Sequence, residues 1–335
     1  MNILTHDDAV SLSEGGGGKE MQDLIQQIRN LLPKTGEWSN TGDDSAALKI
    51  EGKSGKLCFT SDSYVVTPLF FPGGNIGKIA FCGTVNDLAV MGAKPLGISL
   101  SLIIEEGFPK KDLFLIVKTI ADLSEKTGIP VVTGDTKVME KGNIDGLAIN
   151  TAGVGVTDRI LDEALKEGDR IIVSGSIGKH GAALLAARFG IKSDILTDSR
   201  PLLKEIESVR GWILQAKDVT RGGLAAVLNE VAEKNGVRIV VDEERIPVDA
   251  GTSALSRMLG IEPYVLACEG TFVCFSRREH SERVVAALRK FNSEAAVIGE
   301  VAGKGDQSVG RVFMKTRIGT RVLPNPSGRI VPRIC

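Results

Sequence analysis

The chain has 335 residues but only three histidines and five cysteines, and no Cys-x-x-Cys pair or Cys/His cluster. A disulfide scaffold and a structural zinc site are therefore excluded, and unpaired thiols suit a reducing cytosol. Charge of one sign is missing too. Forty-one Lys and Arg balance 42 Asp and Glu, the net charge is −1, and no strongly basic run offers a footprint for nucleic acid. No apolar run approaches membrane-spanning length. The N-terminus lacks a basic stretch followed by an apolar one, so no secretion signal is expected. No repeat of solenoid period occurs. With 42% hydrophobic and 25% charged residues, the composition is that of a soluble globular protein, expected to be cytoplasmic and long enough for two domains.

Helical spacing of Met21, Leu24, Ile25, Ile28 and Leu32 predicts a helix ended by Pro33. Leu57 to Ser61 reads as a short buried strand leading into Asp62, and Pro68 to Gly74 as a loop. A helix is expected from Asn75 to Met91, closing on Gly92. A strand over Ile98–Ile104, an amphipathic helix over Lys110–Lys126, a strand Val131–Thr133 ending on the turn Gly134-Asp135-Thr136-Lys137, and a strand Leu147–Val156 follow. After a change of character near Thr157–Asp169, helices are expected near 178–189, 222–235 and 281–291, with strands near 170–174, 237–241, 271–275 and 295–301. This order suits an α/β or α+β fold, with helices on one face of each sheet. The expected division is 1–157, 158–320, and a tail 321–335.

Acidic residues recur at expected strand ends or in turns: Asp43 and Asp44, Asp62, Asp87 (in Thr84-Val85-Asn86-Asp87), Asp135 and Asp218. Carboxylates gathered from separate loops are what Mg²⁺ needs when it shares phosphate oxygens of a nucleotide. Each is equally an ordinary turn former or helix cap. Gly15–Gly18 before a helix is either a phosphate cradle or a surface linker, and it is neither a Walker motif nor a Rossmann fingerprint. The adjacent Phe70 and Phe71 must pack on something, and could simply plug the core. Lys137 is a phosphate partner or base, or a solvated lysine. Glu269, between apolar segments, is an acid/base whose pKa burial would raise, or an exposed turn glutamate.

The chain ends Pro332-Arg333-Ile334-Cys335. Prolines at 326 and 332 block helix and interior strand, which leaves an extended arm with a thiol at its tip. Such an arm can enter a site, receive a group and carry it away, or it is a frayed terminus that ends in cysteine.

In order along the chain, Gly-Asp-Asp-Ser-Ala, Thr-Ser-Asp-Ser-Tyr, Pro-Leu-Phe-Phe-Pro-Gly-Gly, Gly-Thr-Val-Asn-Asp-Leu-Ala-Val-Met-Gly-Ala, Gly-Asp-Thr-Lys-Val, Asp-Val-Thr-Arg-Gly-Gly-Leu and the ending Pro-Arg-Ile-Cys resemble the HypE family of hydrogenase-maturation proteins. The resemblance covers Ser13 to Cys335. It implies a two-domain PurM-like fold, an N-terminal sheet forming a dimer barrel, a C-terminal α/β domain and a flexible tail. It further implies a carbamoyl group accepted on Cys335 from HypF, ATP-dependent dehydration of the thiocarbamate to a thiocyanate, and cyanide delivery to iron on a HypC–HypD scaffold for [NiFe] hydrogenase. Asp44, Asp62, Asp87 and Asp218 match the Mg-ATP carboxylates, with Asp43 a substitute for Asp44 and Asp135 also at the nucleotide. Thr84 and Asn86 lie beside the nucleotide, and Lys137 and Glu269 match residues that handle the nitrogen proton.

Two departures stand out. Glu14 replaces the histidine of the usual start, and Cys268-Glu269-Gly270-Thr271 replaces Asn-Glu-Gly-Lys. Rival readings are selenophosphate synthetase, which wants a reactive cysteine near the start, aminoimidazole-ribonucleotide synthetase, thiamin-monophosphate kinase, and a docking module without catalysis. The first cysteine here is Cys58, inside an apolar strand.

Overall fold

The computed structural model describes residues 10–33, 36–50, 55–303, 310–328, 331 and 334. Cys335, the expected carrier thiol, lies outside the described residues. A first helix, α1 (Lys19–Leu31), precedes a five-stranded sheet built from β1 (Ala46–Lys49), β2 (Lys56–Tyr64), β5 (Lys94–Glu105), β6 (Val131–Met139) and β7 (Leu147–Thr157). The order is β1-β2-β7-β5-β6; β5 and β6 run parallel and the remaining pairs antiparallel. The loop read at 68–74 contains a small hairpin, β3 (Phe70–Phe71) and β4 (Gly74–Asn75).

Helix α2 (Ile76–Val90) starts at Asn75, whose side chain accepts the Lys78 amide. Of its residues only Lys78 and Asp87 escape full burial. A helix apolar on all sides belongs in the interior. Its first turns pack with Ile98 and Ile149 of the first sheet and with Ile116 of α3 (Lys110–Thr127). Its last residues, Ala89 and Val90, pack with Phe272 and Ile172 of the second domain. Gly83 admits Tyr64 to the helix surface, since a Cβ there would stand 2.2 Å from the Tyr64 hydroxyl.

The second sheet has seven strands in the order β14-β13-β10-β12-β8-β11-β9. They are β8 (Arg170–Val173), β9 (Ile213–Asp218), β10 (Ile239–Asp242), β11 (Phe272–Ser276), β12 (Ala296–Val301), β13 (Val312–Thr316) and β14 (Gly319–Val322). Helices cover both faces, not one. Ile171, Val173, Val273 and Phe275 pack beneath α6 (Gly223–Asn235), while Ile172, Phe272 and Cys274 pack on α5 (Leu203–Val209) and α8 (Ser281–Leu288). Continuous apolar runs such as Ile171-Ile172-Val173 signal a strand buried on both sides. The remaining helices are α4 (Lys179–Arg188) and α7 (Ala250–Leu259).

The expected turn at residues 134–137 is instead the middle of β6, paired with Leu100 to Ile103. Gly134 permits this close pairing, because a Cβ would lie 2.0 Å from the Leu100 carbonyl oxygen. Among the described residues no helix is long and apolar enough to cross a membrane.

Candidate active site

A cleft of about 780 Å³ opens between α1 and the body of the chain. Met21 and Ile25 face it from α1, Asp43 and Asp44 from the turn before β1, Lys217 from β9, and Glu230 and Lys234 from α6. The volume suits a nucleotide-sized ligand. The glycine run is no free linker. Gly17 and Gly18 lie so close to the Arg221-Gly222 turn and to Pro326 that added Cβ atoms would stand 2.4 Å from Arg221 Cβ and 2.2 Å from the Pro326 oxygen. The Lys19 amide donates to that same oxygen.

The carboxylates divide into two groups. At the cleft, Asp43 takes Lys234 Nζ at 2.6 Å, and Asp44 Oδ1 takes Lys217 Nζ at 2.9 Å. Asp44 Oδ2 is buried with no partner among the described residues. Beside them, Asp62, Asp87, Glu269 and Arg221 line a small cavity of about 30 Å³. Asp62 accepts the Tyr64 hydroxyl at 3.0 Å, and Asp87 accepts Thr60 at 2.7 Å. Burial pushes the Asp87 carboxyl well up, and Asp218, Asp62 and Asp44 push it further. Asp218 is likewise raised by burial, then by Asp44, against the pull of Lys217. Four carboxylates from β2, α2, β9 and the turn before β1 therefore sit in one another's field. The strand-end reading fails for two of them: Asp62 lies within β2 and Asp87 within α2.

Glu269 is buried rather than an exposed turn residue. Its Oε1 has no partner among the described residues, and burial, Asp218, Asp198 and Asp62 raise its carboxyl well above the ordinary glutamate range. Asp198 holds the turn by accepting the amides of Glu269 at 3.0 Å and Gly270 at 3.1 Å. Thr271 Oγ1 donates to the same carboxylate at 3.1 Å.

Thr84 is wholly buried and bonds Thr151, away from the cleft. The Asn86 side chain donates to the Arg200 carbonyl at 3.1 Å and accepts the Leu202 amide at 2.8 Å, so it ties α2 to the second domain. Asp135 and Lys137 are exposed on β6 and line neither cavity. Residues that composition and spacing did not single out include Lys217, Lys234, Arg221, Asp198 and His180. Arg221 belongs to the Asp218-Val219-Thr220-Arg221-Gly222-Gly223-Leu224 motif and Lys217 directly precedes it; the other three carried no local signal. Of the described residues beyond Val322, Leu323, Val331 and Ile334 are buried.

Models of AIR synthase related proteins match the chain twice, the N-terminal domain over residues 42–157 and the C-terminal domain over 166–311. The carbamoyl dehydratase HypE of Rhizobium leguminosarum bv. viciae is 41% identical over 97% of this chain and 95% of its own. The chain belongs to the HypE family. A crystal structure of a HypE–HypF complex superposes with a TM-score of 0.81 at 37% identity, covering 90% of this chain and 99% of the other. A HypE structure in complex with ATP gives 0.80 at 36% identity, covering 98% and 100%. The two-domain PurM-like fold of the HypE family is thus the fold of this chain.

Proposed function

We propose that this HypE-family chain is an ATP-dependent carbamoyl dehydratase that works on a group carried by its own Cys335. The observation that carries the reading is the acidic cluster beside a nucleotide-sized cleft, with the buried Glu269, whose Oε1 has no partner among the described residues, at its inner end. ATP supplies the phosphoryl group that turns the carbamoyl oxygen into a leaving group, and Mg²⁺ supplies neutralisation of phosphate charge.

The residues fit such a guest. Asp44, Asp62, Asp87 and Asp218 are hard oxygen donors; burial and neighbouring carboxylates raise the proton affinity of Asp44, Asp87 and Asp218, and a cation relieves that crowding. No three acidic, histidine or cysteine side chains among the described residues close on one point. This suits an ion that takes one or two carboxylates and completes its shell with phosphate and water. Asp43, Lys217 and Lys234 shape the cleft wall, and Thr84 and Asn86 hold α2 in place behind Asp87.

The net change is R–S–C(=O)–NH₂ plus ATP to R–S–C≡N plus ADP and phosphate. The carbamoyl oxygen leaves on phosphate, and the nitrogen gives up both protons. Glu269, or Lys137, accepts a nitrogen proton; a carboxyl raised by burial is a better base once ionised than an exposed one. Burial keeps water from the thiocarbamate and the thiocyanate. HypF as carbamoyl donor, a HypC–HypD acceptor, a homodimer and a cytoplasmic setting complete the reading.

Intact mass tests it. Wild type and Cys335→Ala are incubated with carbamoyl phosphate, the carbamoyltransferase and Mg-ATP. Wild type should gain one carbamoyl group and then lose one water, with no change in the variant. An unmodified wild type beside a transferase shown to be active would sink the reading.

A further inference from the structure

His180 is wholly buried near the start of α4, with Phe71 edge-on against its ring at 5.3 Å between centroids. Its two ring nitrogens have different partners. Nε2 lies 2.8 Å from the Ile334 carbonyl oxygen, and Nδ1 lies 2.8 Å from Thr197 Oγ1. A carbonyl only accepts, so Nε2 carries the proton. Burial disfavours a second ring proton. Nδ1 therefore accepts from the Thr197 hydroxyl, whose oxygen in turn accepts the Ser199 amide at 3.1 Å.

The same short segment reaches the other side of the chemistry. Asp198, between Thr197 and Ser199, fixes the backbone of Glu269 and Gly270. Thr197 is itself set by the phenylalanine loop, its amide donating to the Pro72 carbonyl at 2.9 Å. Around the carbonyl contact, Val331 and Ile334 sit in a cluster with Phe71, Ile195 and Leu266. Cys335 follows Ile334 by one peptide bond, so what holds the Ile334 carbonyl limits the reach of the terminal thiol.

We propose that His180, oriented by Thr197, is a positioning residue that registers the C-terminal cysteine against Glu269. This rests on Cys335 as the carrier. The apolar seat of Val331 and Ile334 gives the arm a place to dock, and one neutral hydrogen bond gives the docked arm its register while leaving it free to withdraw. Thr197 and Asp198 are successive residues, so tail and base are referred to one piece of backbone.

The test labels the full-length protein alone with iodoacetamide, read by intact mass. Cys58, Cys82, Cys268 and Cys274 are all buried, and burial raises their thiols, to about 11 for Cys58 and about 12 for Cys82, so labelling reports Cys335. Thr197→Val keeps the shape but removes the hydroxyl that sets the tautomer, and Thr197→Ser restores it. The valine variant should label about tenfold faster than wild type, the factor matching one lost hydrogen bond. The serine variant should return within about twofold. With carbamoylated protein, the valine variant should lose about tenfold in kcat at unchanged KM for ATP.

Equal labelling in wild type, valine and serine variants overturns the proposal, as does serine behaving like valine. His180→Gln, whose amide can still donate to the carbonyl, should label more slowly than His180→Ala; the reverse order also overturns it. Labelling requires no nucleotide and no partner. A wild type that shows the labelling pattern but is never carbamoylated would refute the dehydratase reading while leaving the Ile334 contact established.

Discussion

At the scale of single residues, Glu269 combines burial, a partnerless oxygen and three neighbouring carboxylates. A folded-state pKa raised in this way means that the folded chain holds a proton the unfolded chain has released. Stability then falls as pH rises from about 4.3, the ordinary glutamate value, through the folded value, and levels off above it. Glu269→Gln removes that loss. The variant should melt at a higher temperature than wild type at pH 8, with the difference shrinking towards pH 4; an equal difference at both would refute the assignment. Its dehydration rate should fall about 10²- to 10⁴-fold, the usual contribution of a positioned base. Lys217 makes the opposite case. Burial works against its charge, but Asp44 and Glu230, at 2.9 and 3.4 Å, outweigh burial. Lys217→Met strands Asp44 as an uncompensated charge and should cost about 3–5 kcal/mol in urea unfolding. Asp44→Asn in the same chain should recover part of that cost. A single variant within about 0.5 kcal/mol of wild type would show that the pair is not coupled in this way.

At the scale of elements, α1 shows how local structure and site are linked. Its pattern was legible: Met21, Leu24, Ile25 and Ile28 fall at helical spacing, and the helix forms over Lys19–Leu31. None of its residues is buried, so its apolar side roofs the cleft rather than joining the core. What holds it is lacing at its start. Lys19 donates to Pro326, Asn325 to Gln22 at 2.9 Å, and Gly328 to Glu20 at 3.1 Å. Gly18→Ala pushes a methyl against the Pro326 carbonyl. Because no core is touched, the melting temperature should hold within about 2 °C while ATP affinity, measured by calorimetry, weakens about tenfold. A large melting shift would mean that α1 belongs to the core after all. The glycine run could be read from sequence only as cradle or linker, because close approach to Arg221 and Pro326 is a contact between distant segments. Strands β13 and β14 and helices α5 and α7 escaped for the same kind of reason: short elements take their identity from neighbours. Period-2 and period-3.6 patterns did reveal β7, α3 and α6, and the closing Gly92 bounded α2. The charged partners of the site, Asp198 above all, were illegible because a lone Asp in a loop looks like any turn former.

At the scale of the whole molecule, the first sheet is unfinished. Strand β6 is its edge, and every residue from Val131 to Val138 is exposed, with Val132 and Val138 each at 64%. The face opposite α2 and α3 carries exposed Phe59, 45% accessible. A long apolar edge with unpaired backbone groups is a template for another strand. A second copy joined about a twofold axis would satisfy it and close the sheets towards a barrel. Wild type should therefore sediment at twice the 35.6 kDa chain mass. Val132→Asp with Val138→Asp places charge on that edge and should yield a folded monomer with unchanged circular dichroism. Asp135 and Lys137 lie between the two valines, so the same variant tests them. If Lys137 does its proton work across the assembled edge, the monomer should bind ATP yet lose at least tenfold in dehydration rate. A monomer that dehydrates at the wild-type rate would remove Lys137 from the chemistry and leave Glu269 as the base. A wild type that sediments as one chain would leave the exposed edge to some other partner strand.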